Sequence, residues 1–142
     1  TDNYVKEMFN DTIFLITKEN TLIPRWVVDA GKYKLEEGGR YRLQDPRNNL
    51  FKEKNAAQIN VVGNSKDKLY LTANLNGNSY LISYDDKEGK VESVKLPYPG
   101  HDFDFKEGNT FVPRFTSEDG RYLIGYEVQE NDENPVIILA ER

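Results

Sequence analysis

The chain has 142 residues, no cysteine, one histidine and a formal net charge of −5, a length that fits one domain able to bury about two thirds of its unfolded surface. The lack of cysteine excludes disulfides, zinc–thiolate sites and cysteine nucleophiles, the single His101 excludes any site needing two histidines, and the acidic balance leaves no basic surplus for nucleic acid. Val, Leu, Ile and Phe supply 37 residues, and with Tyr, Thr and Trp they favour pleated sheet over helix.

Short β-like runs follow one another along the chain. Residues 5–9 and 12–17 flank Asn10-Asp11 and read as a hairpin, and 22–29 follows the polar link 18–20. Residues 30–44 read as a long irregular stretch. Asp45-Pro46 then offers an N-cap and a first-turn proline, predicting a short helix over 46–54. Four strands are expected next, over 58–63, 69–75, 79–85 and 90–96. The links between them carry Asn76-Gly77 and an Asp-rich run ending in Gly89, which suit hairpin turns needing positive φ. Alternation puts Leu69, Leu71, Ala73 and Leu75 on one face, and Tyr80, Ile82 and Tyr84 on one face of the next strand. Strands over 111–115, 122–128 and 136–140 complete the series. Leu69, Leu71, Ala73, Ile82, Val94, Ile124 and Val136 are the expected core.

An internal repeat links these runs. The segment from Ser65 to Leu71 resembles that from Ser117 to Leu123, 52 residues later, which pairs Tyr70 with Tyr122 and Ala73 with Gly125. Asn10 to Leu15 is a looser third copy, pairing Phe14 with Tyr70. Units of short antiparallel strands at this period are the pattern of propeller blades. The expected fold is therefore all-β: antiparallel meander sheets arranged as about two and a half β-propeller-like blades, over 5–29, 58–96 and 111–140, with one short helix in a long inter-blade link. A single meandering sheet or a sandwich is the alternative. Incomplete terminal blades would leave unpaired strand edges, so self-association through open blade edges is expected.

Three stretches carry a family resemblance: Asn10-Asp11-Thr12-Ile13-Phe14, the run Pro24-Arg25-Trp26-Val27-Val28-Asp29-Ala30-Gly31-Lys32-Tyr33-Lys34, and Glu133-Asn134-Pro135-Val136-Ile137. The chain resembles the C-terminal part of the six-bladed β-propeller family of uncharacterised envelope proteins from gut anaerobes. Ala30 stands where an aromatic residue is expected. The resemblance implies a propeller-type fold and an exported, lipid-anchored parent in the envelope or periplasm of a Gram-negative bacterium. It also implies that the chain is a fragment or a short member. It carries no catalytic residues over.

Candidate chemistry is sparse. His101, Asp102 and Asp104 lie in a Pro/Gly-rich link, where they could act as acid and base or sit as solvated turn residues. Arg25-Trp26 and Arg114-Phe115 pair a guanidinium with an aromatic ring, a combination that clamps carboxylates or sugar rings. Strand alternation places Arg25 and Trp26 on opposite faces, with separate roles. Tyr33, Tyr41 and Tyr98, near Arg40 and Arg42, lie in long links where aromatics grip glycans or peptides, or pack back onto a sheet. The charged links at 85–88 and 130–133 read as solvated turns. Nucleophile-elbow, phosphate-loop and dinucleotide-binding motifs are missing. The residues and the resemblance together suggest a non-catalytic binding or scaffolding domain of an envelope propeller protein, with a glycan or peptide ligand and no cofactor or metal. The alternative is a hydrolase or lyase using His101 with Asp102 and Asp104.

Overall fold

The computed structural model describes residues 3–7, 10–42, 55–65, 67–96, 113–127 and 136–141. Among them, ten strands form three open antiparallel sheets, as an all-β chain of meanders requires. The first sheet joins β1 (Asn3–Val5), β2 (Thr12–Ile16) and β3 (Leu22–Val27) in that order. The second joins β4 (Gln58–Ser65), β5 (Lys68–Leu75), β6 (Asn78–Asp85) and β7 (Lys90–Lys95). The third joins β8 (Phe115–Thr116), β9 (Tyr122–Glu127) and β10 (Val136–Glu141).

Local chemistry explains where the strands turn. Asn76 and Gly77 take φ of 50° and 76°, the paired positive values that let a two-residue turn match strand twist between β5 and β6. Between β6 and β7, the Asp85 carboxylate accepts the backbone N–H groups of Lys87 and Glu88, each at 3.0 Å. The β8–β9 turn is held by Asp119, whose carboxylate accepts the Ser117 hydroxyl at 2.6 Å and the Arg121 N–H at 3.0 Å.

β5 is buried on both faces, and this organises the molecule. Leu69 and Leu71 pack with Ile13 of β2, joined by Trp26, Val28, Ile82 and Tyr84. Tyr70, on the opposite face, packs with Val62 and with Leu123 of β9. The second sheet therefore lies between the other two, and β4 runs beside both β1 and β8. Its approach to β8 is close at Gly63, where an added Cβ would collide with the Thr116 side chain, 2.9 Å from Cγ2. The 52-residue relation holds in how side chains face. Leu71 and Leu123 each point at the preceding sheet, and Ala73 and Gly125 are buried beside them. Tyr70 is covered by the third sheet, whereas Tyr122 is half-buried. The looser copy is displaced by one residue, since Ile13 rather than Phe14 faces the second sheet.

Leu69, Leu71 and Ala73 form part of the core, as alternation requires. Val94 and Val136 do not: they are 62% and 39% exposed, because β7 and β10 are the outermost strands of their sheets. Ile82 and Ile124 are half-buried. The stretch after β3 is more ordered than its glycines suggest. It holds a 3-10 turn (Gly31–Tyr33) and a short helix, α1 (Glu37–Arg42). Glycine is a poor helix former, but Gly39 is buried, and any larger residue there would meet Leu35 with Cβ 2.5 Å from Cδ1. The helix expected over 46–54 lies outside the described residues.

Candidate functional site

A groove of about 690 Å³ opens between the end of β3 with its following turn and the face of the second sheet made by β5, β6 and β7. Its floor is aliphatic, with Ile59, Leu71, Ala73 and Ile82. Trp26 and Tyr33 stand on the β3 side, and Tyr80 and Tyr84 on the second sheet. The pleat explains the floor: the positions of β5 that point at the first sheet are all apolar, and Tyr80, Ile82 and Tyr84 continue that face on β6.

Trp26 is fixed by contacts from both sheets. Its ring lies 4.9 Å from Tyr4 at 51°, a tilted aromatic pair, and its Nε1–H donates to Asp86 at 3.4 Å. The other oxygen of Asp86 accepts from the Arg25 guanidinium at 3.1 Å, and that guanidinium stands 5.1 Å from the centre of the Trp26 ring. Strand alternation predicts opposite faces and separate roles for Arg25 and Trp26. The structure corrects this: Ile13 faces Trp26 while Phe14 faces Pro24, so Arg25 is the extra residue of a bulge. The bulge lets both side chains reach the same carboxylate. Asp86 is held in turn by its own N–H, which donates to Asp67 O at 2.9 Å.

The segment from Asp29 to Lys34 places Tyr33. The Asp29 carboxylate accepts the Gly31 N–H at 2.8 Å, Gly31 takes a φ of 53°, and Tyr33 N–H closes the 3-10 turn on Ala30 O at 3.0 Å. An Asp two residues before a Gly is thus a small capped corner that delivers an aromatic ring. Lys34 pairs with Asp11, which ties the corner back to the start of β2, and that hydrogen bond raises the Lys34 pKa. Lys6, near the same carboxylate, is pushed down by partial burial, against the pull of Asp11.

Beyond Tyr33 the groove becomes polar. A second hollow of about 470 Å³ shares Tyr33, Leu75 and Tyr80 with it and adds Lys32, Asn55, Asn76 and Asn78. Asn76 Oδ1 accepts the Asn55 N–H at 2.9 Å, and Asn76 Nδ2 donates to Asn55 Oδ1 at 3.1 Å. The Lys32 ammonium lies 5.1 Å from the Tyr33 ring centre. One end of the site is therefore apolar and aromatic, and the other offers amides and one cation.

Of the sequence-predicted residues, the groove unites Trp26 and Tyr33, with Arg25 bracing Trp26 from the rim. Tyr41 sits on α1, 67% exposed and apart from the groove. Arg114 lies just before β8, where its N–H pairs with Ile124 O, so the Arg-aromatic pairs are on different sheets. Tyr98, His101, Asp102 and Asp104 lie outside the described residues. Sequence reasoning missed Tyr80, Tyr84, Asp86 and the Asn55–Asn76 pair. The alternation of Tyr80, Ile82 and Tyr84 was the available signal, since two tyrosines on a face otherwise made of core aliphatics mark its wetter margin. Comparison of the chain with protein-family models, curated proteins and solved structures finds no match.

Proposed function

We propose that the chain is a non-catalytic binding module of β-propeller type that takes an extended polypeptide in the groove between its first and second sheets. The observation that carries this reading is the groove itself: about 690 Å³, aliphatic at the floor and lined with aromatic rings on both sides. That volume falls in the range of small-ligand sites. An aliphatic floor rewards burial of apolar side chains, which a peptide supplies and a glycan lacks. The glycan reading rests on Trp26, Tyr33, Tyr80 and Tyr84 as stacking rings, but their neighbours are Leu, Ile and Val rather than a dense set of hydrogen-bonding groups. β3 borders the groove, and among the described residues it pairs only with β2. Its other edge has backbone groups suited to an added strand. Among described residues the lining has one carboxylate, Asp29, whose oxygen already accepts from Gly31. The propeller reading draws on the stacked meanders, on the inner position of β4 beside β1 and β8, and on the family resemblance. The resemblance alone motivates an envelope location.

The test is binding to two arrays, one of peptides with alternating apolar and polar residues and one of glycans. Signal on the peptides, weakened about tenfold or more in Tyr84→Ala and Tyr80→Ala, supports the reading. Signal confined to glycans, or peptide binding indifferent to both substitutions, overturns it.

A further inference from the structure

We propose that two copies of this chain associate head to tail, the outer face of the third sheet of one copy packing on the outer face of the first sheet of the other. The register of the third sheet fixes what its outer face carries. Leu123 points inward at Tyr70, so Ile124 and Tyr126 point outward. Their cross-strand partners Phe115, Leu139 and Ile137 share that face. Phe115, Tyr126, Ile137 and Leu139 are 57%, 50%, 69% and 59% exposed. A sheet face turned to water normally alternates to polar side chains, so four large apolar groups there mark an interaction surface.

The first sheet carries the matching feature. Ile13 and Trp26 point inward, which leaves Val5, Phe14 and Leu22 on the outer side. Val5 and Leu22 are 36% and 54% exposed.

The internal packing says which occupant fits. The second sheet covers its Tyr70 side with the inward face of the third sheet, the face that carries Leu123. Tyr122 occupies the equivalent place on the third sheet and points outward. Continuing the same stacking needs a sheet that offers its preceding face, and in this chain the first sheet has that face uncovered among the described residues. Two third sheets placed face to face would break the order of stacking. A head-to-tail pair preserves it, and the described residues of two copies supply six sheets, within the ~4–8 at which stacked propeller sheets close into a ring. Closure uses both outer faces of both copies and leaves neither exposed. The pairing rests on the propeller reading, but the groove between the first and second sheets takes no part in it, so the pairing and the proposed peptide binding fail independently.

Sedimentation velocity and light scattering over a concentration series test this, with three proteins. They are the wild-type chain, Ile137→Asp with Leu139→Asp, and Val5→Asp with Leu22→Asp. The wild-type chain is expected at twice the chain mass. Each variant alone is expected to dissociate, with affinity reduced on the order of 100-fold. An equimolar mixture of the two variants is expected to recover part of the dimer, because one of its two interfaces is then wild type on both sides. Circular dichroism reports folding, and Ile137→Thr with Leu139→Thr, which keeps strand propensity, replaces any Asp variant that unfolds. A monomeric wild-type chain at high concentration, a single-face variant that still dimerises, or a mixture without recovery overturns the proposal.

Discussion

Asp86 joins two sheets through both of its carboxylate oxygens, one on Arg25 and one on Trp26. The ion pair is half-exposed, with side-chain exposures of 52% and 43%, so solvent screens it. Asp86→Ala is therefore expected to cost under about 1 kcal/mol in urea denaturation while freeing the Trp26 ring, read as increased quenching of its fluorescence by acrylamide. Asp85 and Asp119 act within single turns. Backbone N–H donors, chiefly that of Glu88, hold Asp85 below its usual carboxylate range, and the Ser117 hydroxyl with Arg121 does the same for Asp119. A carboxylate depressed in the folded state adds stability above its unfolded pKa of about 4, and that stability is lost as pH falls through the folded value. The urea midpoint should therefore drop on acidification below about pH 4. Asp85→Asn with Asp119→Asn should lower the neutral-pH midpoint and flatten the acid limb. An unchanged acid limb in the double variant would remove the two turns as its cause.

The sheets stand or fall on the two faces of β5. Leu71 is 4% exposed against the first sheet, so Leu71→Ala is expected to cost about 2–5 kcal/mol, against under about 0.5 kcal/mol for Val94→Ala on the outermost strand. Equal losses at the two positions would mean that the stacking is misassigned. Gly63 tests the other face. Gly63→Ala drives a methyl group into Thr116, and Thr116→Ala in that background should recover part of the loss, a coupling measurable by a double-mutant cycle. Much at this scale was legible beforehand. Asn76-Gly77 marked its hairpin because the turn needs two positive φ values, and Leu69, Leu71 and Ala73 marked their face because the pleat has a period of two. Less legible was anything that breaks the period. The bulge at Arg25 turns two side chains toward one carboxylate, and no residue there announces it. The helix at Glu37–Arg42 contains two glycines, which propensity alone reads as loop.

At the scale of the molecule, the second sheet serves as the shared wall of two interfaces, one apolar and continuous with the groove, the other closed by Tyr70, Val62 and Leu123. The all-β class and the three meanders followed from turns and alternation, which are local. The groove did not, because it exists only once Trp26 and Tyr33 meet Tyr80 and Tyr84 across sheets about 50 residues apart in sequence. Arg25, Trp26 and Tyr33 were found from residue type, whereas their partners needed the stacking order. Trp26 is the chain's one tryptophan and stands in that groove, so its emission reports occupancy without a label. The decisive measurement is Trp26 emission during titration with a peptide selected on the array. If the groove is the binding site, emission shifts to shorter wavelength with saturation, as ligand excludes water from the ring, and Tyr80→Ala weakens the titration. Saturable peptide binding with Trp26 emission unmoved would put the ligand elsewhere and contradict the groove as the site.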